Sequence, residues 1–192
     1  MLRLILAAIA VVALAAPVPH AYAQGAMMGR TAGLLRTTLI VEDIDKSVDF
    51  YQRVGLTKVS DISGTDSTPD GIYGAADLPL TADPKSSRVV TLRSGDTGAF
   101  VVLLWYDRPP LPIARGNLVG LGIGDVIIGI EVPDIEAAYS RLSQIGTRFQ
   151  RQPARFSQPG EGPAALSGQH MLAYDPDGHM VEVIQPDRAP RP

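Results

Sequence analysis

Two stretches of this chain carry the same pattern ninety-one residues apart, and that repeat restricts the folds open to it. Val41-Glu42-Asp43-Ile44-Asp45 runs on to Gly55, and Val132-Pro133-Asp134-Ile135-Glu136 runs on to Gly146. Before each lies an apolar, β-branched stretch of strand length, Leu39-Ile40-Val41 and Ile127-Ile128-Gly129-Ile130. Each copy then offers an aspartate as N-cap and an acidic residue in the first turn, where the helix dipole favours it. Apolar residues follow at helical spacing: Ile44, Val48 and Tyr51 in one copy, Ile135, Ala138, Leu142 and Ile145 in the other. Gly55 and Gly146 are natural C-terminal caps. The chain holds strand and helix twice, in matching phase.

Strand patterns come after each helix. In the first half they cover Leu56 to Ile62, then Arg88 to Arg93 and Ala99 to Tyr106 around a Gly/Asp turn. In the second they cover Thr147 to Gln152, Gln169 to Tyr174 and His179 to Gln185. The Gly/Pro-rich segments Ser63 to Ser87 and Pro153 to Gly168 read as loops, the first as a lid over a binding cavity. Each half is thus β-α-β-β-β. Alone, neither half can cover both faces of its sheet, so the two must pack together. The expected organisation is a flexible start over 24–33, a first module over 34–107, a linker over 108–124, a second module over 125–186 and a frayed tail over 187–192.

The first residues read as an export signal. Arg3 precedes an apolar run from Leu4 to Ala16, Pro17 and Pro19 break it, and Ala21-Tyr22-Ala23 supplies a cleavage pattern before Gln24. The run falls short of the ~20 residues a bilayer requires. A signal peptide over 1–23 and a periplasmic or secreted protein follow, with no membrane partner after cleavage. The absence of cysteine excludes a disulfide scaffold, a thiolate metal site and a cysteine nucleophile. A formal charge of −3 gives no general attraction to phosphate backbones, so no nucleic-acid partner is expected. His20 leaves with the signal. His170 and His179 are then the only histidines of the mature chain.

Three stretches carry a resemblance. They are Arg36-Thr37-Thr38-Leu39-Ile40-Val41-Glu42-Asp43, then Ser47-Val48-Asp49-Phe50-Tyr51 with Gly55-Leu56, and Asp175-Pro176-Asp177-Gly178-His179-Met180-Val181-Glu182. Together they resemble the vicinal oxygen chelate superfamily, which includes glyoxalase I, bleomycin-resistance proteins and extradiol dioxygenases. The resemblance implies an α+β fold of two βαβββ modules whose sheets curl around a ligand cavity. It also implies, for the metal enzymes, a divalent ion held from the first and last strand of each module. Those four positions fall on Arg36, Val102, Ile127 and Glu182. A guanidinium has no lone pair to give, and Ile127 and Val102 offer nothing. Only Glu182 survives as a metal-ligand position. No cofactor is therefore expected, with a divalent ion as the alternative.

The remaining candidates divide. Glu182 reads as a site carboxylate, the one catalytic candidate, or as an ordinary exposed glutamate. His170 lines the cavity as an acid/base or ligand-binding group, or is a partly exposed strand histidine. Trp105 stacks on a planar ligand, or packs in the core or between modules. Asp175-Pro176-Asp177-Gly178 reads as a type I turn, His179 as its edge, and Phe50 and Tyr51 as helix core. Gly120 to Gly124 opens a strand rather than a helix, which argues against phosphate binding. The superfamily geometry brings Arg36 and Glu182 face to face, in the chain or across a homodimer, so an ion pair is expected in place of the metal. The leading functional expectation is small-molecule binding without the usual metal centre, through Arg36, His170, Trp105 and Glu182. A metal-dependent lyase, isomerase or dioxygenase using Glu182 is the rival. A non-catalytic structural or interaction module is the third, favoured if side chains fill the cavity.

Overall fold

A computed structural model describes residues 33–74, 77–95, 99–107, 111–113, 120–160 and 166–187. The expected signal peptide, part of the linker and nearly all of the tail lie outside the described residues. From Leu34 onward the chain forms one compact unit. Its first half runs β1 (Arg36–Ile40), α1 (Ile44–Val54), β2 (Thr57–Thr65), β3 (Ser86–Ser94) and β4 (Ala99–Tyr106). The second repeats the series as β5 (Ile127–Glu131), α2 (Ile135–Ser143), β6 (Phe149–Gln158), β7 (Leu166–Tyr174) and β8 (Met180–Pro186). The two four-stranded sheets have the same order, β1-β4-β3-β2 and β5-β8-β7-β6. In each, the first strand is parallel to the last and the other pairs are antiparallel.

The helices begin where the aspartates cap them. Asp43 accepts a hydrogen bond from the backbone N–H of Lys46 and Asp134 from that of Ala137. One face of each sheet packs with the helices into a single core that takes Leu39, Tyr51 and Leu103 from one half and Ile135, Met171 and Val183 from the other. Shared burial of this kind is what forces the modules together, because neither sheet could exclude water from that face alone. Ile145 departs from expectation. The helix ends at Ser143 and leaves it exposed.

The seam is pinned by the closing turn of the second module. Asp175 holds the turn by accepting from the N–H groups of Asp177 and His179. It also accepts a hydrogen bond from the fully buried Tyr51 hydroxyl at 3.0 Å. Asp177 accepts from the Glu42 N–H at 2.7 Å and the Ser47 hydroxyl at 3.1 Å. The turn is structural, as its sequence implies. Burial pushes the Tyr51 hydroxyl far above its ordinary range, so it remains a donor at every working pH.

Two loop boundaries differ from expectation. Residues 153–158 belong to β6, and Leu166 to Gly168 belong to β7. Pro153 is tolerated because β6 is an edge strand, with irregular pairing between Phe149 and Arg151 and between Arg151 and Ala154. The loop after β2 starts at residue 66, and it does not hang over a cavity. Ile72 and Leu80 pack onto Val89, Val102, Leu104 and Tyr106, on the face of the first sheet away from the helices. The Tyr106 hydroxyl donates to the Tyr73 carbonyl, and the Tyr73 N–H donates to the Ser87 hydroxyl. The approach is close enough that a Cβ on Gly64 would strike the Gly71 carbonyl oxygen. The expected lid is a plug.

Candidate functional site

Each sheet has a second face, away from the helices, where the alternation of side chains places every other strand residue. On β8, Val181 and Val183 enter the shared core, so Glu182 and Ile184 face the other way. Cross-strand pairing aligns Leu172 with Glu182 and His170 with Ile184, and parallel pairing aligns Gly129 with Glu182. The open face of the second sheet therefore gathers Ile127, Gly129, His170, Leu172, Glu182 and Ile184.

His170 and Glu182 are joined. The imidazole Nδ1 lies 2.7 Å from the Glu182 Oε1, with the side chains 13% and 29% exposed. The Phe156 ring stacks on the imidazole at 4.7 Å between centroids and 20° between planes. Phe156 stands opposite Gly168, where β7 presses so near β8 that a Cβ would strike the Gln185 carbonyl. The aromatic ring thus covers a position where no side chain fits. Which ring nitrogen carries a hydrogen depends on the tautomer, since a neutral ring has one N–H and a protonated ring two. The imidazole Nε2 is buried and has no hydrogen-bond partner. A buried polar atom left without a partner costs about 1–3 kcal/mol. Beside Glu182, a Cβ built on Gly129 would meet nothing within 4 Å. The dyad borders open space.

Sequence reasoning missed Phe156 because Pro153 to Gly168 reads as a loop. The sequence held no signal for it, because both strands after the helices read short, as Leu56 to Ile62 and Thr147 to Gln152, where the structure has nine and ten residues.

The other candidates are placed as follows. Arg36, Val102, Ile127 and Glu182 all lie on the open faces, at equivalent registers in the two sheets. Within the chain, however, Glu182 is paired with His170 rather than with Arg36, which stands exposed on the edge strand β1. The intrachain ion pair is corrected accordingly. Trp105 pairs in register with Arg88 and packs against the shared core, on the opposite face from Val102. It does not join the dyad. It lines a depression of ≈ 500 Å³ at the seam with Glu42, Asp45, Arg88 and Asp177. Most carboxylates there are already committed: Asp45 to Arg88, Asp43 to the helix cap, Asp177 to Glu42 and Ser47. His179 sits in the closing turn, its Nδ1 3.0 Å from Asp175.

The donor set does not fit a divalent ion of the superfamily's usual kind. Val102 is buried beneath the plug, Ile127 is apolar, Arg36 is a cation and Glu182 is held by His170. Among the described residues, no three of His, Asp and Glu gather as a metal-holding group.

Residues 33–183 match the Glyoxalase/Bleomycin resistance protein/Dioxygenase superfamily. The chain belongs to that superfamily. It is 29% identical over 164 residues to a lactoylglutathione lyase of Pseudomonas putida, covering 78% of this chain and 83% of the relative. A glyoxalase family protein from Bacillus cereus superposes with a TM-score of 0.60 at 16% identity, covering 82% of this chain and 98% of the other. The second likeness is one of fold. It agrees with a two-module α+β architecture.

Proposed function

We propose that this superfamily member is an exported binding protein that holds a small organic molecule against the open face of its second sheet. The polar anchor is the His170–Glu182 dyad, and the usual divalent metal centre is replaced by it. One observation carries the reading: the His170–Glu182 pair at 2.7 Å, whose carboxylate residue stands in register with the open position at Gly129. Ile127, Leu172 and Ile184 supply the apolar floor that small-molecule sites favour around a few polar groups. Export rests on Arg3, the run Leu4 to Ala16 and Ala21-Tyr22-Ala23. No helix among the described residues is long and apolar enough to cross a membrane.

A homodimer is part of the proposal. β1 and β5 are both edge strands, and Leu35, Ile40 and Val126 stand exposed on or beside them. A second copy of the chain pairing along these edges would cover those side chains and their unpaired backbone groups.

The rival is a glyoxalase-type lyase with Glu182 in the reaction, favoured by the similarity to the Pseudomonas lyase. Metal analysis and thermal melts of the chain from Gln24 onward separate the two. With Ni²⁺, Zn²⁺, Mn²⁺ or Fe²⁺ against chelator, binding should be substoichiometric and the midpoint should stay within about 2 °C. A stoichiometric metal, together with lactoylglutathione lyase turnover abolished by Glu182→Gln, would establish the rival.

A further inference from the structure

We propose that a depression at the module seam, between α1 and the closing turn, is a second binding site, and that it takes an organic monocarboxylate on the Arg148 guanidinium. The space measures ≈ 450 Å³ and draws its wall from both modules. Lys46 and Asp49 of α1 supply one side, Ile145 to Arg148 between α2 and β6 another, and Tyr174 to Pro176 with Gly178 the third. It shares no residue with the His170–Glu182 face, so the two sites stand or fall separately.

Arg148 is held ready for an anion. Its guanidinium carbon lies 3.7 Å from the centroid of the Tyr174 ring. Its backbone carbonyl accepts from the Tyr174 N–H at 2.9 Å, so the same two residues are also tied through the main chain. A guanidinium held over an aromatic ring still offers the N–H groups at its rim, the fork that matches a carboxylate. The other charges of the wall are met. Lys46 is paired with Asp43 and Asp49 with Arg53, while Asp175 holds the Tyr51 hydroxyl and the His179 ring. Among the described residues Arg148 has no carboxylate partner; the Tyr174 ring is what it meets. The next residue adds an independent observation. The Thr147 hydroxyl oxygen is buried with no hydrogen-bond partner, and Thr147 belongs to the same wall.

The class of ligand follows from charge and surface. The wall carries two cations, Lys46 and Arg148, and two carboxylates, Asp49 and Asp175. Only the guanidinium lacks an opposite charge, so one negative charge is matched. A phosphate dianion would bring a second, which the two carboxylates repel. Ile145, Tyr174 and Pro176 supply the apolar surface on which the body of the acid packs. Room for it is present, because a Cβ built on Gly146 or on Gly178 would meet nothing within 4 Å.

Benzoate tests the proposal, with benzamide as its neutral counterpart and phenyl phosphate as the dianion. In an NMR titration of the full chain, benzoate should give saturable shifts at Gly146, Thr147, Arg148 and Gly178. Benzamide and phenyl phosphate should bind about tenfold more weakly or worse. Arg148→Gln should lose about tenfold in benzoate affinity, and Arg148→Lys should recover only part, since an ammonium lacks the fork. Thr147→Val should move two readouts in opposite directions. Removing an unmet buried polar atom should raise the unfolding midpoint of the free protein by about 2 °C or more, while benzoate affinity falls about threefold. Equal binding of benzoate and benzamide, tighter binding of phenyl phosphate, or full benzoate affinity in Arg148→Gln would each overturn the carboxylate site. No saturation at millimolar benzoate overturns it outright. Shifts confined to Gly129, Leu172 and Glu182 would also overturn it, by placing the probe on the open face and leaving the reading of that face intact. Circular dichroism of each variant separates loss of binding from loss of fold, and the three probes on the unaltered chain decide the matter if a variant does not fold.

Discussion

The two open faces of this molecule share one strand order and differ in what covers them. Val102 occupies in the first sheet the register that Glu182 occupies in the second, and Val89 matches His170. In the first sheet the valines lie under a twenty-residue plug, with Ile72 and Leu80 packed on them. In the second, the matching positions hold an imidazole and a carboxylate beside open space. A duplicated module can therefore cover its second face as a small additional core in one copy and leave a polar pair on it in the other, the face proposed to bind a ligand. The choice is made by two side chains and a loop. Nothing in the strand order changes.

The comparison can be broken most sharply by moving the carboxylate. Val102→Glu places in the first sheet what the second sheet holds, but there the side chain is 3% exposed, clustered with Ile72, Val89, Leu104 and Tyr106, and no cation is among these or its in-register partners Thr38 and Thr91. A stranded buried charge of this kind costs about 3–5 kcal/mol, and urea unfolding should register that loss. Adding Val89→His should recover part of it by rebuilding the diagonal pair. If Val102→Glu costs less than about 1 kcal/mol, the plug is not packed as described and the contrast between the faces is lost.

Truncations give a smaller effect with the same logic. Ile72→Ala removes a buried side chain from the plug and should cost about 2 kcal/mol or more. Leu172→Ala removes a half-buried one from the open face and should cost less than about 1 kcal/mol. Equal losses in the two variants would mean that both faces serve as core.

How much of this was legible depends on what each residue's signal is local to. The repeat, the caps at Asp43 and Asp134 and the closing turn all depend on short-range spacing, and the structure has them where the sequence puts them. Only the part of β6 from Pro153 onward was hidden, because an edge strand bonds on one side only and so admits a proline. The partner of Glu182 was hidden because a diagonal pair depends on the register across two strands, which the length of the loop between them obscures. Trp105 was decidable: it stands three residues after Val102, and an odd interval on a strand means the opposite face. The plug was legible as an unusual loop but not as a core, since Ile72 and Leu80 are isolated apolar residues in a Gly/Pro-rich stretch.

The smallest expected effect lies in how the two modules respond to acid. In the first, the Arg88 guanidinium beside Asp61 holds its carboxyl well below the usual range, at 2.8 Å. Its stabilisation is present above the unfolded value and is lost as pH falls through the folded one. In the second, burial at the seam pushes the Asp177 carboxyl up, against the opposing pull of the Glu42 N–H and the Ser47 hydroxyl. A raised carboxyl contributes most below its unfolded value, and that contribution disappears as pH rises through the folded one. The two groups therefore tilt stability in opposite directions. Asp61→Asn should lower stability near neutral pH by no more than about 1 kcal/mol, with the gap to wild type closing in acid. Asp177→Asn should match wild type in acid and gain on it as pH rises past the ordinary carboxylate range, because the amide has no charge to bury. Chemical denaturation across pH 3 to 8 reads both gaps. Parallel curves for wild type and Asp177→Asn would show that the seam does not oppose ionisation at Asp177, and the assigned difference between the two carboxylates would be withdrawn.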